Sequence, residues 1–414
     1  MKKLLFILSA IFVSVMGWAQ LNPYAYGLSS DWDATNQTLT VDFKLNAKAN
    51  KIEIFAVDRA NNNKTYKIHE IASPGNTLDY SIPIHINGKG IDGICLPTGK
   101  NLTFAVKVDG TARNAPGTPI YTSNRPFSPH GVAVNNHQNS QDFGAVYVTE
   151  CTNGVSGNAT WGWLSDKGKS LLKYDPRLKF ERSYRKSSAF SDRATRYLEP
   201  HRVVVSDDGR IFVSSYNTNT TGKPAVWELN PQTGEYTVVV EHDASKGERV
   251  VAIDVKGTGN NIKMLVCYYY RPASGNGYGW YVCEYTIGAA GSKATLVGIK
   301  CQYFTTIEYY KNPLVNAYNT PYFTYQDGFF DVAYGAKNEA TVYMGLDYFI
   351  NLTDASNNKN RTSLIYFNAA LNPQYQYHNR DGKVEGEHWG GGGIVTWLDH
   401  NGNERIAMGG NKSG

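Results

Sequence analysis

Two Pro-His pairs, Pro129-His130 and Pro200-His201, stand 71 residues apart, each opening an apolar run: PHGVAV at 129–134 and PHRVVV at 200–205. Imidazoles at the starts of two equivalent strands can converge on a metal, a water or a ligand at the mouth of a channel. Such chemistry needs a third partner. Asp254 and Asp331, each inside an apolar run, and Glu199, just before the second Pro-His, are the acids placed to join them. These acids would do general acid and base work on a glycan, a mechanism that depends on the carboxyl separation. The competing reading is structural, a histidine bonded to a neighbouring turn, and the later runs carry no Pro-His equivalent. Asp207 and Asp208 lie in the turn SDDG, where carboxylates accept backbone N–H groups, a reading preferred over calcium binding. No EF-hand ligand ladder is present.

Aromatic residues offer a second kind of chemistry. Tyr268, Tyr269, Tyr270, Tyr278, Trp280 and Tyr281 crowd one run and its GNGYG loop, Tyr309 to Tyr325 fill a later insert, and Trp389 precedes four glycines. Amphipathic rings in Gly/Asn-rich loops make platforms for sugars or protein surfaces, whereas rings at alternate strand positions fill a core. Both uses are expected here.

Enzyme signatures are absent: the chain has no GxSxG elbow, HExxH pair, Walker A loop or CxxC pair. Five cysteines fit no zinc or iron-sulfur spacing, and no metal or cofactor is expected. Cys267 and Cys283, in neighbouring strand-like runs, are either bonded across the strands or two small buried hydrophobes. The formal charge of +5 falls near +3 without Lys2 and Lys3, with no dense Lys/Arg block, which argues against nucleic acid.

The elements that must position these residues begin with a leader. Lys2 and Lys3, an apolar run from Leu4 to Val15 and the small-x-small site Gly17-Trp18-Ala19 read as a secretory signal over 1–19, so an exported, extracellular, periplasmic or surface protein beginning at Gln20 is expected. No later apolar run is long enough to span a bilayer. With 29 Tyr, 40 Gly and only 5 Met, the composition suits all-β structure rich in turns. Over 20–120, short runs alternate with period two, as at Leu39, Val41, Phe43 and Leu45, and read as a β-sandwich of immunoglobulin or fibronectin type III kind. A Pro/Gly-bearing linker occupies 112–126.

Past the linker, over 121–414, the pattern is Pro-His, apolar strand, polar turn, apolar strand, then a third run ending in Asp-Pro or Asn-Pro: SLLKYDP at 170–176 and AVWELNP at 225–231. Four consecutive antiparallel strands of this kind describe a propeller blade. Fainter copies start at VVAIDV (250–255), FFDVAY (329–334) and GGIVTWL (392–398). The chain stops at Gly414 after two strands of the fifth copy, so the propeller is expected to be incomplete at its C-terminus or closed by a strand from elsewhere.

The runs PHGVAV…GAVYVTE and PHRVVVSDDGRIFVSS resemble NHL-type six-bladed propeller repeats, and the order of leader, LNPYAYGLSS, sandwich and propeller is similar to a set of secreted or surface proteins of Bacteroidetes. These resemblances imply the fold and the export, and carry over no catalytic residues. The leading expectation is a non-enzymatic surface or secreted protein that binds a glycan or another protein. A polysaccharide hydrolase or lyase with a channel site, and a structural component of a surface assembly, are the alternatives.

Overall fold

In the computed structural model, residues 20–21, 23–97, 102–110, 113–114, 129–150, 170–185, 199–216, 225–241, 248–270, 279–304, 331–348, 361–367, 373–378, 391–399 and 401–410 are described. Every regular element among them is a β-strand, and the chain is all-β with several antiparallel sheets. The leader over 1–19 lies outside the described residues. No helix of the described residues is long and apolar enough to cross a membrane. The chain divides into two compact units.

Unit 1 takes Met1–Tyr121 together with Asn136–Ala145 and Tyr174–Lys179. Its strands are β1 (Gln20–Leu21), β2 (Ala25–Asp33), β3 (Thr38–Leu45), β4 (Lys51–Asp58), β5 (Lys64–Ile71), β6 (Asp79–His85), β7 (Thr103–Asp109) and β8 (Arg113–Asn114). They form sheets in the orders β2-β3-β6 and β5-β4-β7, with β1 paired to β8. The period of two turns Val41, Phe43 and Leu45 of β3 inward, where Ile52 and Ile54 of β4 and Val106 and Val108 of β7 meet them in one core. Glu53 lies between the two isoleucines, on the opposite face, and is enclosed by Lys51, Lys67 and Lys107 at 3.0, 2.9 and 3.3 Å. Burial pushes its carboxyl up, but the three lysines outweigh that and hold it at about 2. Arg177 ties the late segment to this unit, donating from Nε to the Leu45 carbonyl (2.8 Å) and from Nη2 to the Leu78 carbonyl (2.8 Å) and Asp79 (2.9 Å).

Unit 2 takes the rest of the chain. Its first sheet is β9 (Pro129–Val134), β10 (Val146–Glu150), β11 (Ser170–Tyr174) and β12 (Phe180–Tyr184), and its second is β13 (Glu199–Val205), β14 (Ile211–Tyr216), β15 (Ala225–Leu229) and β16 (Tyr236–Glu241). The third is β17 (Glu248–Lys256), β18 (Ile262–Tyr270), β19 (Gly279–Ile287) and β20 (Thr295–Phe304), and the fourth β21 (Asp331–Tyr334), β22 (Val342–Tyr348), β23 (Arg361–Phe367) and β24 (Pro373–His378). β25 (Gly391–Leu398) and β26 (Glu404–Gly410) form a two-stranded fifth. In each four-stranded sheet the strands pair in sequence order.

The first strands of successive sheets lie beside one another, β9 against β13, β13 against β17, β17 against β21 and β21 against β25. Facing sheets share cores: Phe212, Val226 and Val240 of the second meet Ile253, Met264 and Val266 of the third. The hairpin ends are tied as well. Arg210 grips Glu228 with two bonds of 2.7 and 2.9 Å within the second sheet, and reaches the Gly259 and Gly288 carbonyls of the third at 2.9 and 2.7 Å. A Cys267–Cys283 disulfide is not formed. Cys267 stands opposite Val282 and Cys283 opposite Val266, so the two side chains leave opposite faces of the sheet.

Candidate functional site

The side-by-side first strands gather charged and titratable side chains from β9, β13, β17 and β21. His130 of β9 and His201 of β13 meet edge to face, ring centroids 5.0 Å apart and planes at 77°. They come this close because the residue after His130 is Gly131: a Cβ there would fall 2.9 Å from both the Arg202 Cα and the His201 carbonyl oxygen. Thr149 of β10 secures the contact, its hydroxyl donating to the His201 carbonyl at 2.9 Å.

Arg202 occupies, in the second Pro-His run, the place Gly131 holds in the first. Its backbone N–H donates to the Ser214 hydroxyl at 3.0 Å. The buried guanidinium donates to the His130 carbonyl and pairs with Asp331 of β21 at 3.5 Å. Asp331 in turn accepts the Ile394 N–H of β25 at 2.8 Å. Asp254 of β17 accepts the Tyr334 N–H of β21 at 2.8 Å and the N–H of its own neighbour Val255 at 2.9 Å. Two carboxylates and one guanidinium thus stitch five first strands together.

The electrostatics follow from burial. His130 is lowered to about 4 by loss of water and the nearby Arg202 charge. His201 is driven well below its ordinary value by burial, Arg202 and His130, against a hydrogen bond with the Val251 backbone. Both rings are therefore neutral in neutral solution. Asp254 is raised to about 7, chiefly by burial, against which two backbone N–H groups pull downward, and the neighbouring Asp331 charge pushes the same way as burial. Burial raises Asp331 too, and Arg202 resists. Both carboxyls lie deep among protein atoms, yet 13 % of the Asp331 side-chain surface is accessible. A carboxyl that keeps its proton close to neutrality can serve as an acid or as a fastener that responds to pH.

Several residues singled out in the sequence do not join this cluster. Asp207 and Asp208 bind the Gly257 and Gly259 N–H groups at 2.9 and 2.6 Å, tying the β13–β14 turn to the β17–β18 turn. Tyr268, expected among the ligand-facing rings, is fully buried in the core between the second and third sheets, its hydroxyl 2.8 Å from that of Tyr285. The backbones of Tyr269 and Tyr270 pair with Trp280 and Gly279, and Tyr268 with Tyr281. The side chains of Tyr269, Tyr270, Trp280, Tyr281 and Glu199, and the whole of Tyr278 and Trp389, lie outside the described residues. Among the described residues no group of three or more His, Cys, Asp or Glu is placed to hold a metal ion. Sequence reasoning missed Arg202. The available signal was a lone charged residue inside PHRVVV, at the place of a glycine in the sister run.

No family model matches the sequence, and no curated protein matches it. Among solved structures the chain is similar to the Hadza microbial sialidase Hz136, at 8% identity over 94% of this chain and 80% of that chain, with a TM-score of 0.36. It is also similar to a fungal alcohol oxidase of the AA5 family in complex with copper (10% identity, 95% and 73% of the two chains, TM-score 0.29). TolB from Acinetobacter baumannii is a third (7% identity, 85% and 79%, TM-score 0.26). Superpositions this loose transfer neither a reaction nor a ligand.

Proposed function

We propose that this chain is an exported or cell-surface binding protein, with an immunoglobulin- or fibronectin-like sandwich over 20–120 and an NHL-like β-propeller over 121–414 that recognises a glycan or a surface protein. One observation carries the reading: four sheets with strands in sequence order, and a fifth pair, set their first strands side by side in chain order. That is how blades stand around an axis. Binding is favoured over catalysis because the ionisable groups at the first strands are engaged in holding strands together. Both Asp254 oxygens accept backbone N–H groups, and Arg202 is shared between Asp331 and the His130 carbonyl. The ligand is assigned to the aromatic set Tyr269, Tyr270, Tyr278, Trp280, Tyr281 and Trp389, while Tyr268 serves as core packing between the second and third sheets.

A glycan array and a pull-down with the chain from Gln20 onward test this, with Trp280→Ala/Tyr281→Ala as the control. Retention of a glycan or surface protein by the wild type, weakened at least tenfold in the variant, is the expected result. Equal behaviour of the two proteins, or no retention at all, removes the reading. A polysaccharide hydrolase or lyase is the second reading, and it draws on the near-neutral Asp254 beside Asp331. Release of reducing or unsaturated ends by the wild type, abolished in Asp331→Asn, would favour it.

A further inference from the structure

The sequence contains four Asn-Gly pairs, opened by Asn87, Asn153, Asn276 and Asn401. A glycine in second place leaves its backbone nitrogen open to the asparagine side chain, because no Cβ crowds the approach. Asn153 and Asn276 lie outside the described residues, while Asn87 and Asn401 are both exposed. Gly88 and Gly402 adopt φ of 81° and 75°, each with open space where a Cβ would stand, so crowding does not separate the two sites. Hydrogen bonding does. At Asn401 the glycine nitrogen is tied, its N–H donating to the Asp399 carbonyl at 2.9 Å. The Asp399 carboxylate braces the same turn, accepting the N–H groups of Asn401 and Asn403 at 2.9 Å each and Arg405 at 3.0 Å. Among the described residues the Gly88 N–H donates to no acceptor. Next to it, the Lys89 N–H donates to the Asn87 Oδ1 at 3.2 Å. That bond closes a ring through the Asn87 Cγ and the Gly88 nitrogen, which keeps the amide carbon folded toward the nitrogen.

We propose that Asn87 is a self-modifying site of the folded protein, at which the Gly88 nitrogen displaces the side-chain amide, and that the turn around Asn401 protects that asparagine from the same reaction. The Gly88 nitrogen gives up its proton and bonds to the Asn87 Cγ. The Cγ–Nδ2 bond breaks, and the amide leaves as ammonia with the proton from Gly88, so a cyclic imide remains. Water then opens the imide at one of its two carbonyls, giving either aspartate or an isoaspartate whose chain runs through the side-chain carbon. While the Cγ is tetrahedral, negative charge gathers on Oδ1, the atom to which the Lys89 N–H already donates. The surroundings hold the site in place for this chemistry: the Ile86 N–H donates to the Gln37 carbonyl at 2.8 Å and the Leu96 N–H to the Gly88 carbonyl at 2.9 Å. The isoaspartyl product carries an extra backbone carbon at the foot of 88–96, the loop that exposes Ile91 and Ile94. Both products add a negative charge beside Lys89.

The test uses the wild-type chain from Gln20 onward, incubated at pH 8 once folded and once in concentrated urea, with conversion at Asn87 and Asn401 followed by peptide mass spectrometry. Separation of the aspartyl and isoaspartyl peptides confirms passage through the imide. In urea neither turn exists, and the ratio of the two rates there reports the local sequence alone. Dividing the folded ratio, Asn87 over Asn401, by the urea ratio isolates what the fold contributes. The quotient is expected to be at least about fivefold, the effect of having to break one backbone hydrogen bond at Gly402 and none at Gly88. A quotient near one or below it overturns the proposal, as does the absence of isoaspartate at Asn87 in the folded chain.

Discussion

His130 and Asp254 titrate against each other in their effect on folding. His130 is held at about 4 from an ordinary 6.5, so the unfolded chain takes a proton that the folded chain refuses. The stability this represents is present above pH 6.5 and is lost as pH falls toward 4, and His201 adds to it in the same direction. Asp254, held at about 7 from 3.8, keeps a proton in the folded state that the unfolded chain has released. Its contribution is full below pH 3.8 and is lost as pH rises to 7. Between pH 4 and 6.5 the two slopes oppose. Denaturant unfolding should show His130→Asn losing stability with rising pH relative to wild type, and Asp254→Asn gaining it, each by up to about 1.4 kcal/mol per pH unit. Parallel curves for all three proteins would refute both assignments. Arg202 supplies a second residue-scale prediction. Arg202→Met strands the enclosed Asp331 charge and should cost about 3 kcal/mol, while Arg202→Met/Asp331→Asn should recover part of that loss. A double variant worse than the single one contradicts the pairing.

At the scale of elements, what distinguishes the sheets is whether each face has a neighbour. Val132 of β9 is 67% exposed, whereas Val203 of β13, in the sister run, is 3% exposed. Among the described residues, β13 has β9 on one side and β17 on the other, while β9 lies against β13. The same contrast recurs at the other end, where Val395 and Trp397 of β25 are 55% and 44% exposed. Between sheets, polar bonds at the turns supplement the shared cores. Arg210 is the fullest case, joining Glu228 to two carbonyls of the next sheet. Arg210→Ala should lower unfolding free energy by about 3 kcal/mol, because Glu228 would remain enclosed without its partner. A loss under about 0.5 kcal/mol would mean the bonds are replaced by water. The period-two runs and the Asp-Gly and Asn-Pro turns made these hairpins legible in the sequence. The face each strand turns toward a neighbouring sheet was not, since alternation defines two faces without saying which is covered. Tyr268 illustrates this: it sits in a ring-rich run, yet it lies in the core.

At the scale of the molecule, unit 1 is assembled from three separate stretches of chain, so its integrity depends on residues far outside Met1–Tyr121. Arg177 is one of them, satisfying the Leu45 and Leu78 carbonyls and pairing with Asp79. Arg177→Ala is expected to destabilise the full chain by about 2 kcal/mol, and amide exchange should report the loss within 41–45 and 78–82. Unchanged exchange in both stretches would show that the contact contributes nothing. The sequence by itself determined the all-β character, the five runs that open the sheets, the turn residues and the histidines worth watching, because strand period and turn chemistry are local properties of neighbouring residues. Only the tertiary structure decided that Gly131 makes room for the histidine pair, that Arg202 answers Asp331, and that Asp254 holds its proton near neutrality. Those outcomes depend on which distant strands exclude water from a given carboxyl or ring, and loss of water shifts a titration more strongly than anything in the local sequence.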